Sequence, residues 1–339
     1  MVRASGGFAM RTFHLLVFLI SVPDTLLSQA WLAPRGEGTV SVLYQYGFDR
    51  LHYFADGRTK DRGHVFLNSV IVDTDFSLTN KLAVRVSLPY ISGKYTGANP
   101  HALVRGNSAT AVSLDNGSFH GTSQDFHFDV RYRLTERRLN LVPFVQAIIP
   151  SHNYPTLGHA AVGLDLREYR IGVNLGRRLN PIVPNAFIQG RYAFGFSQEV
   201  AHIAPKRSYA EFQLGYFLTR RLSVQGAGVW TYSHNGIDHD FNLFPDNLSQ
   251  DEWLNHDRIS RAKLLDVGAS IGFSFKRSTN LVVGAGHSVW GANTHMRTAV
   301  VSIGFVKAFT TGLSHDKAST ATLLPEARQA LVCTCAKTK

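Results

Sequence analysis

Apolar and polar side chains alternate without interruption along Asp125-Phe126-His127-Phe128-Asp129-Val130-Arg131-Tyr132-Arg133-Leu134. Alternation with a period of two predicts a β-strand that has one apolar and one polar face. The polar face carries charges in the middle of the strand, where the core of a soluble protein would not tolerate them unpaired. If the apolar face meets lipid and the charged face lines a lumen, both faces are satisfied. The stretch therefore predicts a transmembrane β-barrel.

The same period recurs along most of the chain, and it is clearest in residues 82–88, 210–216 and 265–273. Twelve such runs begin near residues 38, 63, 81, 124, 140, 162, 185, 206, 222, 258, 280 and 296. Most are long enough for the roughly 9–11 residues that a tilted strand needs to cross the hydrocarbon layer. We predict an all-β fold, a transmembrane antiparallel up-and-down β-barrel of about twelve strands.

The segments between these runs alternate in length. Tight turns are predicted at residues 78–81, 135–138, 180–184, 219–221 and 276–280. Longer connections are predicted at residues 54–63, 93–123, 151–161, 198–207 and 233–257, with a shorter one near 288–295. Tight turns on the periplasmic side and longer loops outside are typical of outer-membrane barrels. An even number of strands then places both ends of the barrel in the periplasm.

The two ends of the chain do not show the barrel pattern. Arg3 and Arg11 precede a short apolar core, and Ser28-Gln29-Ala30 offers small residues for cleavage before Trp31, which is the layout of a secretory signal. Residues 310–339 are polar and small, and they contain both cysteines of the chain, Cys333 and Cys335. We predict a signal peptide at 1–30, an outer-membrane barrel at 31–309 and a disordered C-terminal extension at 310–339. A disulfide framework is excluded for the barrel.

A soluble secreted β-sandwich also alternates apolar and polar residues. Aromatic residues near the strand ends favour the barrel, because they would form the girdles at the two membrane interfaces. These residues are Tyr44, Tyr46, Tyr90, Tyr132, Tyr192, Phe196, Tyr216, Trp230 and Tyr232. The formal net charge of +11 would suit nucleic acid, anionic lipid or anionic solutes. The secretory signal argues against nucleic acid, and basic tight turns suit anionic headgroups at the periplasmic rim.

Charged residues on the inward faces are candidates for a constriction. They are Arg85, Asp129, Arg131, Glu168, Arg170, Arg191, Glu211 and Asp266. Because arginines and carboxylates are balanced among them, we expect no strong anion selectivity. Two interpretations stay open. The charges form a salt-bridged network that fills a narrow barrel, or they define an eyelet for small solutes.

The histidines suggest an alternative function for the outer rim. Thirteen fall in outer strand ends or long loops: His52, His64, His101, His120, His127, His152, His159, His202, His234, His239, His256, His287 and His295. Imidazole binds Zn²⁺, Cu²⁺ or Ni²⁺, but no tight metal-binding spacing occurs. A lipid hydrolase with a Ser–His pair is the other rim function. The stretch Tyr232-Ser233-His234-Asn235-Gly236 is similar to the signature of outer-membrane phospholipase, yet adjacent strand residues point to opposite faces.

Two short blocks resemble one family. Leu78-Thr79-Asn80-Lys81-Leu82 followed by Val86-Ser87-Leu88-Pro89-Tyr90 resembles a turn and strand of the outer-membrane transporter family named for the meta-pathway of phenol degradation. Phe144-Val145-Gln146-Ala147-Ile148-Ile149-Pro150 sits where that family has a strand ending in proline, although the family continues toward a glycine and this chain has Ser151-His152-Asn153. The resemblance implies a barrel through which small, often hydrophobic or aromatic molecules cross the outer membrane.

We therefore expect a porin-like outer-membrane channel or transporter for small molecules, which is not an enzyme and needs no cofactor or metal. Its partners would be the lipid bilayer, the barrel assembly machinery and a small solute, and the barrel would be a monomer. The alternatives are a lipid hydrolase or metal-binding surface barrel that uses the His-rich rim, and a structural barrel with a blocked lumen. The solute and the strand number stay open at this point.

Overall fold

The computed structural model describes residues 29–97, 114–136, 138–239, 248–276 and 278–313. Its elements are β1 Glu37–Tyr53, β2 Thr59–Ser77, β3 Leu82–Thr96, β4 His120–Ser123, β5 Asp125–Tyr132, β6 Thr135–Glu136, β7 Asn140–Pro150, β8 Glu168–Arg178, β9 Ala186–Ser197, β10 Lys206–Phe217, β11 Leu222–Ser233, α1 Gln250–Leu254, α2 His256–Ile259, β12 Lys263–Lys276, β13 Thr279–Ala292 and β14 Thr294–Thr310. No helix in these ranges is long and apolar enough to cross a membrane.

Twelve strands form the wall of one closed antiparallel barrel. β4 continues β5 outward beyond Gln124, and β6 is a two-residue pairing in the turn before β7. Each of the other strands pairs with its neighbours along the chain. β1 pairs with β14 from Glu37 opposite Thr310 to Tyr53 opposite Thr294, which closes the sheet. The predicted fold class is confirmed.

The wall is apolar outside and polar inside. In β5, Phe128, Val130 and Tyr132 are exposed on the outer face, whereas Asp129 and Arg131 are each only 2% exposed on the inner face. β3 repeats the pattern, with Leu88 and Tyr90 outward and Arg85 inward. A surface of this kind is satisfied by lipid outside and by paired charges inside. The chain is therefore a β-barrel of the bacterial outer membrane.

Two predicted strand starts were too early. The run predicted from residue 162 begins as β8 at Glu168, because residues 151–167 form a folded loop around Tyr154. The Tyr154 hydroxyl donates to Asp125 at 2.5 Å and accepts from the Asp165 amide at 2.9 Å. The run predicted from residue 258 begins as β12 at Lys263, because α2 occupies the residues before it.

The connection predicted near residues 288–295 does not exist as a loop. Asn293 alone joins β13 to β14, and its φ of 53° provides the reversal. Asparagine is one of the few residues that adopt this left-handed conformation at low cost. Hydrogen bonds of the Asn293 side chain connect this hairpin to the extracellular loops.

The hairpin of β13 and β14 is splayed at its outer end. The two strands pair from Thr279 opposite Lys307 to Gly286 opposite Val300, and no farther. Beyond that point β13 pairs only with β12, and β14 only with β1. Both of these ladders carry a bulge at the same height. The Ser288 hydroxyl bridges the split by accepting from the Arg297 amide at 3.0 Å.

Several predicted features lie outside the described residues. They are most of the signal peptide (1–28), residues 98–113 and 240–247 of two long loops, and the C-terminal extension from residue 314, including Cys333 and Cys335. The last predicted run, from residue 296, is described and forms β14.

Candidate functional site in the lumen

An ionic network crosses the lumen at mid-height. Asp129 accepts from Arg191 Nη2 at 2.8 Å and lies 3.2 Å from Arg131 Nε. Arg131 also pairs with Asp75. The Arg191 guanidinium stacks over the Phe144 ring, 3.6 Å from its centroid. Charges removed from bulk water are stable only when they are paired in this way.

Arg85 extends the network along the wall through a second ion pair, to Asp73 at 3.0 Å. Both side chains are buried. Of the predicted lumen charges, Arg85, Asp129, Arg131, Arg191 and Glu211 thus point into one level of the barrel. Their role as a constriction remains a prediction.

The chain before β1 enters the lumen and docks on this network. The Gln29 side chain donates to Glu211 Oε2 at 3.1 Å and accepts from Arg191 Nη1 at 2.7 Å. Its backbone oxygen accepts from Arg131 at 3.4 Å. The segment continues with Trp31 edge-on against Phe187, at 5.9 Å between centroids. Residues assigned to the end of the signal peptide thus occupy the lumen.

A second buried cluster lies closer to the outer end, centred on Glu168. This carboxylate accepts from Arg170 at 2.5 Å, Arg207 at 3.0 Å and the Tyr209 hydroxyl at 2.8 Å. The Ser197 hydroxyl adds a fourth hydrogen bond at 2.6 Å. Arg170 also stacks on Tyr209, so both arginines and their anion form one rigid unit.

Asp266 lies apart from the other predicted lumen residues. It accepts from Ser288 Oγ at 2.6 Å and from Arg297 Nη1 at 2.7 Å, beside the splayed hairpin. Its contacts therefore support the wall where β13 and β14 separate. The prediction grouped it with the constriction, but in the structure it belongs to this different site.

Little space is left at the level of the network. A cavity of about 20 Å³ lies between Gln29, Arg85, Asp129, Gln146 and Glu211. At the periplasmic end a larger cavity of about 630 Å³ is lined by Trp31, Arg138, Arg177 and their neighbours. The cavity between Gln29 and these charged side chains is thus about large enough for a single water molecule.

The extracellular mouth is covered by residues 248–262, which we call the lid. The lid contains α1, α2 and the chain up to β12. Arg258 reaches across the mouth, where its Nε donates to Leu164 O at 2.8 Å and its Nη2 to Asp165 O at 2.7 Å. On the other side, Arg261 pairs with Asp238. The lid residue Ile259 is fully buried beneath these contacts.

Three residues of these clusters were missed in the sequence. Arg207 lies on the same inward face of β10 as Glu211 and Gln213. Extending the alternation of β10 toward its N-terminal end would therefore have identified it. Gln29 was assigned to the signal peptide, and no pattern indicated that it lies in the lumen. Arg297 precedes a bulge at Thr298, which breaks the alternation that would have placed Arg297 inside.

The two alternative functions of the outer rim, metal binding and lipid hydrolysis, can each be compared with the structure. Within the described ranges, no group of three or more His, Cys, Asp or Glu side chains is placed to hold a metal ion. Ser233 and His234 point to opposite faces, as predicted: Ser233 is buried near Arg207 Nε at 3.3 Å. His234 Nε2 instead lies 2.9 Å from Ser208 Oγ, a partner that sequence spacing did not reveal.

No family model and no curated protein matches the sequence. Solved outer-membrane barrels match the fold. The COG4313 outer membrane channel from Pseudomonas putida F1 is similar with a TM-score of 0.62 and 14% identity, over 84% of this chain and 99% of that chain. The NanC porin has a TM-score of 0.46 and 7% identity, over 79% of this chain and 98% of that chain. At these identities the likeness is one of fold.

Proposed function

We propose that this protein is an outer-membrane channel or transporter for small molecules. The observation that carries the proposal is a polar lumen closed at mid-height by ion-paired side chains and by the short segment around Gln29. Such a closure opens by movements of side chains and of one chain segment, without unfolding of the wall. Paired charges at a narrow point are also the arrangement that sorts small solutes.

Single-channel conductance in a planar bilayer tests this proposal. Arg131→Ala removes one cation from the network and leaves Asp75 and Asp129 with less positive charge around them. We expect discrete conductance steps in the mature protein and a shift toward cation selectivity in the variant. Arg133→Ala is the matched control, because Arg133 pairs with the exposed Glu136 at the periplasmic turn. A folded, heat-modifiable barrel with no conductance in any of these proteins would contradict the channel and leave the blocked structural barrel.

For the solute, we propose small hydrophobic or aromatic molecules. The support is the resemblance to the transporter family named for the meta-pathway of phenol degradation. In liposome swelling, an aromatic carboxylate should enter faster than a neutral sugar of similar mass. The reverse order would contradict this solute class and leave the channel itself in place.

Assembly and state complete the proposal. The barrel inserts through the barrel assembly machinery, acts as a monomer and uses no cofactor. Light scattering on the detergent-solubilised protein tests the oligomeric state directly, since a mass of two or more chains would contradict the monomer.

A second candidate function rests on the Ser208–His234 pair. Ser208 Oγ also lies 3.0 Å from the Tyr192 hydroxyl, and Tyr192 and His234 are both on the outer face near the extracellular interface. A serine that donates to histidine Nε2 has the geometry of an activated nucleophile for ester cleavage. Turnover of a phospholipid ester lost in Ser208→Ala and His234→Ala, and kept in Ser233→Ala, would establish this activity. Equal background rates in all of these variants would exclude it.

A further inference from the structure

Five histidines of the outer rim lie ring to ring, and the last of them, His256, belongs to the lid. The successive centroid distances are 4.9 Å for His159–His295, 4.9 Å for His295–His52, 5.5 Å for His52–His239 and 5.6 Å for His239–His256. We call this set the histidine column. Tyr95 stacks on one end of the column at 4.5 Å, and Trp253 stacks on the other at 4.7 Å.

The column connects the barrel wall to the lid. His52 is the penultimate residue of β1 and His295 is the second residue of β14, so both are fixed in the wall. His239 precedes the lid. Two residues before it, Ile237 forms an isolated β-bridge with the lid residue Ser260. His256 belongs to the lid itself. The stacked pair His52–His239, with an interplanar angle of 21°, therefore joins the wall to the segment that precedes the lid.

One ring nitrogen of each central histidine has no acceptor for an additional proton. His52 Nδ1 and His239 Nε2 are buried and have no hydrogen-bond partner among the described residues. His52 is only 8% exposed. A proton on either nitrogen would place an unpaired N–H and a positive charge in a buried site, which is costly. Protonating both rings would add repulsion between two cations at this short distance.

Asp257 attracts a proton on either ring and Asp238 attracts one on His239, but burial and the neighbouring imidazoles outweigh them. His159 has its own anion, Asp115, at 2.8 Å, and His256 has Asp257 at 3.5 Å. Asp238, next to His239, is already bound by Arg261 and Asn293. On β2, Lys60 lies opposite His52, and Arg62 stacks on Phe54, whose ring contacts His52. None of these groups supplies an acceptor to His52 Nδ1 or His239 Nε2.

We propose that neutral His52 and His239 hold the lid shut, and that their protonation in mildly acidic medium releases it. The lid would then open as the surroundings acidify, and the channel mouth would respond to external pH. Histidine is suited to this role because its charge changes between about pH 5 and 8.

The direction of the pH effect follows from the closed state. Burial, reinforced by the nearby His256, lowers the pKa of His239 to about 4. In an open lid the ring is in water, where its pKa is ordinary, about 6.5. A base whose pKa is lower in the closed state stabilises that state fully above about pH 6.5. That stabilisation is lost as the pH falls from about 6.5 toward 4.

Spin labels report the position of the lid without depending on conduction. Asp251 on α1 and Glu199 in the loop after β9 are exposed, and Glu252 of α1 lies within electrostatic range of His202 in the same loop. We would label Asp251→Cys and Glu199→Cys in a chain with Cys333→Ser and Cys335→Ser. Dipolar spectroscopy should show a short distance at pH 7.5 and a longer one at pH 5.

Three variants make the measurement specific. His239→Asn cannot take up the proton and should keep the short distance at both pH values. His239→Lys carries a charge throughout and should show the long distance already at pH 7.5. His64→Asn is the matched control: His64 lies at the outer end of β2 against Phe48, and this variant should behave as the unchanged protein does.

Two outcomes would overturn the proposal. One is an unchanged distance between pH 7.5 and pH 5 in the parent protein. The other is a change of the same size in His239→Asn as in His64→Asn. Because distance is measured rather than current, either outcome stands apart from any failure of the channel to conduct.

Discussion

The side-chain oxygen of Asn293 accepts a hydrogen bond from the backbone amide of His239 at 2.8 Å. Asn293 is the single residue between β13 and β14, and it is buried. Its Nδ2 donates to Asp238 at 2.8 Å and to Arg261 O at 3.2 Å, and its backbone oxygen accepts from Ser260 Oγ at 2.8 Å. One residue at the tip of the last hairpin thus holds the lid over the lumen.

Substitution of Asn293 should loosen the lid and leave the barrel folded. Asn293→Gly keeps the left-handed backbone and loses the side-chain bonds, each worth about 1 kcal/mol. Asn293→Ala loses the same bonds and adds about 1–2 kcal/mol of backbone strain. We expect faster trypsin cleavage after Arg258 and Arg261, by roughly tenfold or more in the glycine variant, and faster still in the alanine variant. Unchanged trypsin cleavage in both variants, with normal heat-modifiability, would contradict the role of Asn293 in holding the lid.

Glu168→Gln should destabilise the barrel strongly. The substitution removes the anion shared by Arg170 and Arg207, and loss of one partner from a buried ion pair costs about 3–5 kcal/mol. Asp61→Asn is the control, since Asp61 and Arg50 form an exposed pair. Such surface pairs are worth about 0–1 kcal/mol. Urea unfolding in lipid vesicles gives both free energies, and equal losses in the two variants would show that the Glu168 cluster is not a structural centre.

The strands of the wall were predictable because each of their residues faces one of two environments. Lipid outside and paired charge inside impose a period of two, and this period correctly identified β3, β5, β10 and β12. The alternation of turn lengths supplied the topology. Where a bulge shifts the period, as at Thr298 beside Arg297, the same reasoning fails.

The lid and the histidine column were not predictable, because they depend on contacts between distant parts of the chain. His52, His159 and His295 are far apart in sequence, and only the closed barrel brings their rings together. The sequence placed these histidines at the outer rim but carried no sign of their stacking. Ser208 and His234 belong to the same class of contact.

Ser288→Ala should loosen the wall locally at the splayed hairpin. The substitution removes the acceptor for the Arg297 amide and one donor to Asp266, and no backbone pairing replaces them there. We expect faster hydrogen exchange across residues 287–299 and unchanged exchange in residues 279–286, which stay in the ladder. Ser302→Ala, in the paired part of β14, is the control. Equal exchange in the parent and Ser288→Ala would show that the hydroxyl does not support the split.

The contacts of Gln29 bear on where the mature protein begins. The pattern Ser28-Gln29-Ala30 favours cleavage before Trp31, which would remove Gln29 and Ala30. In the structure, however, Gln29 bonds to Glu211, Arg191 and Arg131 in the middle of the lumen. Loss of Gln29 would leave these buried charges with fewer partners, a cost of about 1–3 kcal/mol for each group left unsatisfied.

We therefore expect the mature chain to retain Gln29. Intact-mass measurement and N-terminal sequencing of protein purified from outer membranes decide the point. A chain that begins at Gln29 or earlier would place the N-terminal segment in the constriction. A chain that begins at Trp31 would contradict this expectation, and the lumen would then be wider beside Arg191 than it is with Gln29 in place.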